Sequence, residues 1–369
     1  MNIDFIEALN EIERDKGIKK DVLIDAIEAA LISSYKRNFN TAQNVRVDIN
    51  RQTGDIKVFA RKTVVDEVLD PRLEISLDAA HEINANYQLN DIVEIEVTPA
   101  DFGRIAAQTA KQVVTQRIRE AERGLIYEAF IDKEEDIVTG IVQRQDTRNI
   151  YVDLGKVEAV LPLNEIMPNE KFRQGERIKA YITKVENTTK GPQILLSRTH
   201  PGLLKRLFEL EVPEIYEGVV EIKSVAREAG FRSKIAVYSR NDEVDPVGSC
   251  VGPKGMRVQT IVGELRGEKI DIVRWSENVE EYVSNALSPA QVLEVIVLED
   301  EKVARVIVPD HQLSLAIGIK GQNARLAAKL TGWKIDIKSE SQAESEFGRP
   351  RSKAESADDL YDTDAYSLD

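Results

Sequence analysis

Two stretches of this chain repeat one order of elements, and that repetition constrains the fold more than any other feature. Each reads as paired strands, a short helix, a Gly-x-x-Gly loop, a second helix and a strand containing Ile-Asp-Ile. In the first, the loop is Gly252-Pro253-Lys254-Gly255 and the strand carries Ile270, Asp271 and Ile272. In the second, the loop is Gly318-Ile319-Lys320-Gly321 and the strand carries Ile335, Asp336 and Ile337. The loops lie 66 residues apart and the strands 65. Spacing kept to within one residue marks an internal duplication, so both copies must solve the same packing problem.

A Gly-x-x-Gly turn between two helices has a physical task. Glycines permit a tight turn and a close approach by a sugar-phosphate backbone. The helix that follows directs free N–H groups and the positive end of its dipole at a phosphate oxygen. A lone turn of this kind is most often a helix cap. Two copies in matched modules, each with lysine in the same slot, point to phosphate binding instead. This is the arrangement of a KH module, which clamps about four nucleotides of a single strand beside an apolar groove. The predicted RNA contacts are the two loops, Gly252, Pro253, Lys254, Gly255 and Gly318, Ile319, Lys320, Gly321, with Arg257, Asn323 and Arg325 on the helices behind them. Val251, Val258 and Ile261, and in the second copy Ile317 and Leu326, are the predicted groove lining.

Upstream, the periodicity changes twice. Helical spacing runs from Asp4 to Arg14 and from Asp21 to Tyr35, with Val22, Ala26, Ala29 and Ala30 on one face of the second helix and Ile27 and Leu31 beside it. Alternating runs then flank the turn NRQTGD as a hairpin, and a long helical pattern extends from Arg104 to about Ile131. Between 135 and 199, five short alternating runs separated by turn residues predict an OB-type barrel. Gly140, the YVDLG strand end, Leu161-Pro162 and the closing LLSR resemble the S1-type RNA-binding barrel. Tyr151 is its candidate stacking residue and Arg198 a further candidate RNA contact.

Charge tempers this reading. The chain has 50 Lys and Arg against 64 Asp and Glu, and no segment forms a basic block. RNA binding must therefore rest on local backbone sites and a few placed cations. Other chemistries find little support. Asp101-Phe102-Gly103 matches a kinase tripeptide, but no nucleotide loop or catalytic loop accompanies it, and it reads as a helix start. His81, His200 and His311 are scattered, and Cys250 reads as a small packed residue behind the first loop. No enzyme, metal site or cofactor is expected. The acidic N-terminus MNIDFIEALNEIERDKG is unlike a signal peptide, no apolar run reaches membrane-span length, and one cysteine cannot form an internal disulfide. A cytoplasmic location is expected.

Several stretches together closely resemble the NusA family of bacterial transcription termination/antitermination proteins. They are FGRIAAQTAKQVVTQRIREAER, EVPEIYEGVVEIKSVAREAG, DPVGSCVGPKGMRVQTI, GEKIDIVRW and IGIKGQNARLAAKLTGWKIDI. The resemblance covers nearly all of the chain to about Ile337. It implies a multidomain α+β protein: an α/β head at 1–130 that binds RNA polymerase, an S1-type OB barrel at 135–199, and two type II KH domains at 203–276 and 277–340. A disordered acidic tail at 341–369 completes the expectation. It also implies polymerase contacts at Arg104 and Lys111, single-stranded nascent RNA as ligand, a monomer, and roles in pausing, termination and antitermination. Other antitermination factors are further partners it suggests. Some family members carry acidic repeat domains after the second KH module, and here only the tail follows. The competing expectation is a KH/S1 RNA-processing or translation-associated protein that works without polymerase.

Overall fold

The computed structural model describes residues 3–39 and 44–347. Two compact units emerge. One comprises the chain to Ala129 with the hairpin tip Asn187–Pro192; the other comprises Phe130–Glu186 and everything from Gln193 onward.

In the first unit, α1 (Ile3–Lys16) and α2 (Lys20–Asn38) precede a sheet of β1 (Val45–Ile49), β2 (Ile56–Val65), β3 (Glu74–Ser76) and β4 (Ile92–Glu96), with α3 (Leu77–Ile83) between the last two. The long β2 pairs antiparallel with β1 and β4 and parallel with β3. The predicted hairpin around NRQTGD is present: Asn50 Oδ1 accepts the N–H groups of Gln52 and Thr53. On α2 the buried face is Leu23, Ile24, Ile27, Leu31 and Tyr35, whereas Val22 is exposed. Ile27 and Leu31, read beside the alanine face, are buried as part of this stripe, while Ala29 is exposed and Ala26 and Ala30 are half-buried, because the larger apolar side chains remove more surface from water. The long helix α4 (Phe102–Ile131) runs 30 residues, and Phe102, Ala106 and Ala110 anchor its start in the core.

The second unit begins with five strands: β5 (Ile137–Gln145), β6 (Asn149–Asp153), β7 (Glu158–Pro162), β8 (Arg177–Thr188) and β9 (Gly191–Ser197). They close in the order β5-β6-β7-β9-β8, as an OB-type barrel requires. A Cβ at Gly140 would lie 2.4 Å from Val152, so β5 and β6 approach closely only because no side chain intervenes.

The first KH module follows: α5 (Pro201–Glu211), α6 (Pro213–Tyr216), β10 (Val220–Glu228), β11 (Arg232–Ser239), α7 (Pro246–Val251), α8 (Met256–Glu264) and β12 (Lys269–Arg274). The second repeats the order as α9 (Val279–Ala286), β13 (Glu294–Leu298), β14 (Val303–Val308), α10 (Leu313–Ile317), α11 (Gln322–Thr331) and β15 (Lys334–Ser339). In each sheet the first pair is antiparallel and the last strand joins in parallel. That topology is the type II KH arrangement that the family resemblance implied. The chain then continues as α12 (Glu340–Phe347), whose Ala343 is buried. Part of the predicted tail from 341 is therefore an ordered helix; the remainder of that expectation lies outside the described residues.

Barrel and first KH module share one core containing Met167, Tyr181, Leu204, Phe208 and Ile235. Buried charges cross the same boundary. Arg198, at the end of β9, is bound by Glu170 of the barrel and reaches Glu264 Oε1 at 3.1 Å and its carbonyl at 2.9 Å. Arg227 on β10 and Glu268 of the same module, both with fully buried side chains, pair through two bonds of 2.9 Å, and Arg227 reaches the barrel at Met167 Sδ, 3.2 Å away. Burial alone would push the Glu268 carboxyl up, yet Arg227, the Ser233 hydroxyl and the Gly230 N–H hold it below the ordinary carboxylate range.

Removing one member of such a pair leaves an uncompensated buried charge, so Arg227→Met should cost about 3–5 kcal/mol. Adding Glu268→Leu should recover much of that loss. Because the Glu268 carboxyl is depressed in the folded state, its stabilisation is fully present above the ordinary value of 4.5 and is lost as pH falls through the folded value. Both tryptophans, Trp275 and Trp333, lie in this unit. Urea unfolding followed by their fluorescence, across pH and in both variants, checks the two expectations.

Candidate nucleic-acid interface

The two Gly-x-x-Gly loops have the same backbone. Gly252 has φ 72° and ψ 175°, Lys254 φ 52° and ψ 25°, and Gly255 φ 75° and ψ 13°. Gly318, Lys320 and Gly321 follow with φ/ψ of 76°/175°, 53°/30° and 75°/17°. Both lysines are held in the left-handed region, which non-glycine residues adopt only when the surroundings impose it. They are exposed, and among the described residues neither makes an ion pair or a side-chain hydrogen bond.

The glycines divide the work. A Cβ on Gly252 would meet Arg257 Cγ at 2.7 Å, and one on Gly318 would meet the Asn323 backbone N at 2.8 Å. The first glycine is therefore required by the protein's own packing. At Gly255 the nearest atom to such a Cβ is Val258 Cγ1 at 4.0 Å, and at Gly321 it is Arg325 Nη1 at 4.0 Å. The second glycine faces open space beside the starts of α8 and α11. Neither of those helices has a side-chain cap. The first N–H of each helix turns back to its loop, Met256 to the Pro253 carbonyl and Gln322 to the Ile319 carbonyl. The positive end of the helix dipole stands next to a lysine with no side chain capping it.

Behind each loop stands a brace that sequence reasoning had taken for an RNA contact. Arg257 and Asn323 both lie five residues after their first glycine. Arg257 Nη1 donates to the Ser249 carbonyl at 2.5 Å and to Glu214 Oε2 at 2.9 Å. Asn323, 4% exposed, donates through Nδ2 to the carbonyls of Ala316 at 3.0 Å and Leu287 at 2.9 Å. Asn323 is therefore corrected from ligand contact to support, because its amide is buried against the backbone that shapes the loop. Arg257 spends its guanidinium on the equivalent task. Arg198 is corrected as well: it is buried in the joint between barrel and first KH module. Of the predicted groove residues, Ile261 and Leu326 belong to the core, while Val251 and Val258 are half-buried and Ile317 is exposed.

The remaining predicted contacts stay at the surface. Ile319 is 83% exposed at the tip of the second loop. Arg325 pairs with Glu228 of the first KH module at 2.6 Å, beside Gln322, which bonds the same carboxylate at 2.8 Å. Arg325 first, and Gln322 with it, keep that carboxyl below its usual range. On the barrel, the Tyr151 hydroxyl donates to Asp146 at 2.9 Å, and the Arg144 guanidinium lies 3.5 Å from the ring centroid. One face of the ring is thus already covered. On α4, Lys111 lines a shallow polar groove with Gln112, Thr115, Arg119 and Arg123, while Arg104 is exposed on the same helix. Arg117 pairs with Glu120, which also lines that groove, at 3.1 Å. Cys250 is buried and its thiol is pushed up to about 12, chiefly by burial, so it is an inert packing residue.

The KH modules are held as one body. Ala226, Ala236 and Val273 of the first share a core with Tyr282, Val283, Ala286, Ala304 and Leu326 of the second. Lys234, fully buried on β11, donates to Asp271 at 2.9 Å and across the junction to the Ser288 carbonyl at 2.8 Å. Burial pulls its ammonium pKa down against the attraction of Asp271. Two loops of matching backbone are therefore presented at a fixed separation.

Replacing Lys254 and Gly255 together by Asp should leave the chain folded, at a cost of about 1–2 kcal/mol because Gly255 is held at φ 75° in the left-handed region, while the open space around it avoids a clash. Affinity for single-stranded RNA should fall at least tenfold, because negative charge then occupies the phosphate position. Gly252→Ala should also lower stability, by roughly 1–3 kcal/mol for the strained backbone alone. Undiminished RNA binding by the folded double variant would exclude the loop as a phosphate site.

Comparison with known proteins agrees with this architecture. The NusA N-terminal domain family matches residues 4–124, the S1 RNA binding domain family 131–197, the NusA-like first KH domain family 198–275 and the NusA-like second KH domain family 279–345. The transcription termination/antitermination protein NusA of Halalkalibacterium halodurans is 74% identical over 98% of this chain and 94% of its own length. Its counterpart in Bacillus subtilis is 69% identical over 98% and 97% respectively. The solution structure of the N-terminal domain of the Bacillus subtilis protein covers 32% of this chain and 97% of its own, at 69% identity and a TM-score of 0.30. With relatives this similar along almost the whole length, the chain belongs to the NusA family of transcription termination/antitermination proteins.

Proposed function

We propose that this chain is a transcription termination and antitermination factor that holds nascent single-stranded RNA on its barrel and KH modules while its head binds RNA polymerase. The observation that carries the RNA half is the fixed pair of identical loops, each with an open glycine, an uncommitted lysine and an uncapped helix start. Linked sites gain through effective concentration, so a strand held by one loop reaches the other at little further cost. The factor works by binding and positioning, without a catalytic step, as a monomer in the cytoplasm.

The head has a different character. Its sequence contains no Gly-x-x-Gly, and up to residue 134 the chain holds 25 acidic against 18 basic side chains. Leu69, Ile83, Leu89 and Ile92 are exposed in the segment that includes β3, α3 and β4. Exposed large apolar side chains suit a protein partner better than a polyanion. Arg104 and Lys111 on α4 are the cations proposed to contact the polymerase complex. A polymerase-independent RNA-processing role would leave this head without a task, and family membership does not favour it.

Deleting residues 1–130 should abolish copurification with RNA polymerase and any effect on pausing, yet leave affinity for free RNA nearly unchanged. The reverse pattern would overturn the division of labour. Because RNA contact rests on few cations, the log–log dependence of affinity on salt should have a slope of about −2 to −4, at ~0.7 for each phosphate neutralised on a single strand. Titrations at several salt concentrations measure it directly, and a much steeper slope would reveal a broader basic track.

A further inference from the structure

We propose that the first KH module carries a second RNA contact apart from its loop: a base-stacking site built from Tyr238, Trp275 and Lys223 at the end of its sheet. The inference rests on the RNA-binding reading above and adds to it a place where a base is held.

The strands bring these residues together. Tyr238, near the end of β11, is opposite Glu221 of β10. Trp275, just past β12, donates its backbone N–H to the Val237 carbonyl at 2.9 Å, which places it beside Tyr238. The two rings meet edge to face, with centroids 5.4 Å apart and planes at 82°. Trp275 also contacts Tyr282 of the second module, 6.4 Å between centroids, so the indole is anchored where the modules join. Lys223 falls at a register shift between Ile222 and Ser224. Such an irregularity re-aims a side chain out of the regular alternation. Here it carries the Lys223 ammonium, which pairs with Glu221 at 2.5 Å, to 5.1 Å from the Tyr238 centroid and 5.3 Å from that of Trp275.

Packing accounts for part of this arrangement only. Trp275 is partly buried against the core common to the two modules. Tyr238 is not: it is 38% exposed, and its hydroxyl makes no hydrogen bond among the described residues. An exposed ring with a cation beside it is the combination that holds single-stranded nucleic acid without regard to sequence, the ring stacking on a base and the cation meeting the backbone. Arg240 adds an exposed cation at the same end of the sheet, paired with Glu221; Arg274 pairs with Asp245 on the other face. Asp245 caps α7, the six-residue helix that ends at the first Gly-x-x-Gly loop. Trp275 shares the sheet face of Val273, toward the second module, whereas Arg274 and α7 lie on the face toward the first module's own core, so the platform is a contact separate from the loop.

The test uses the full chain with Trp333→Phe, which leaves Trp275 as the sole indole. It is titrated with single-stranded RNA oligonucleotides of four and of about twelve nucleotides. Binding of the longer RNA should quench Trp275 fluorescence. Tyr238→Ala should weaken binding of the longer RNA about tenfold or more, the loss typical of a stacking ring. The same change should leave the four-nucleotide RNA, which the loop alone accommodates, within twofold. Tyr238→Phe, which keeps the ring, should lose far less, and Lys223→Met should fall between the two. If Tyr238→Ala binds the longer RNA as tightly as the parent, while Lys254→Asp/Gly255→Asp loses it, the stacking site is wrong and the loop reading stands. If the parent chain binds neither RNA, both fall together.

Discussion

Ala226, Ala236 and Val273 present small side chains from one face of the first KH sheet to the core of the second module, and the geometry of the RNA-binding surface follows from that contact. Helix α11, which begins at the second Gly-x-x-Gly loop, packs directly on β10 and β11. The element that positions the second loop is therefore seated on the sheet that supports the first. Small residues allow the close approach, and Tyr282, Val283 and Leu326 fill the space between. With no linker to flex, the orientation of one loop is set by the packing of the other.

Polar burial reinforces the same joints. Lys234 spans the two KH modules, while Arg198 and Arg227 lie where the barrel meets the first. Each is costly to bury and rewarded only when its partners are in place, so a shifted module would strand a charge in a low-dielectric interior. Apolar contact alone tolerates sliding. A guanidinium that must reach Glu170 together with the Glu264 carbonyl does not.

The overall acidity of the chain is compatible with RNA binding because the binding groups are local. Backbone N–H groups at a helix start carry partial positive charge whatever the net charge of the protein, and the acidic side chains nearby are largely committed. Glu228 is held by Arg325 and Gln322, Glu214 by Arg257, and Asp271 by Arg232 and Lys234. The lysines at the loop tips are left unopposed by such pairs.

The repeat, its spacing and the β-barrel were legible in the sequence because they depend on local periodicity and on glycines at turns. The duplicated order of elements was enough to predict two KH modules, and the five alternating runs to predict a closed barrel. Side-chain roles were less legible. Arg198, Asn323 and Arg257 read as RNA contacts because they are polar and lie in or near motifs, yet burial turned each toward the protein's own backbone and carboxylates. The burial of Leu23 and Ile24 in place of the alanine face of α2 was likewise a tertiary choice between two helical stripes. Sequence by itself determined which elements form and where the glycines must fall, since those are properties of neighbouring residues. Only the tertiary structure decided which cations remain free for RNA, because that depends on which carboxylates and carbonyls distant segments bring within bonding distance.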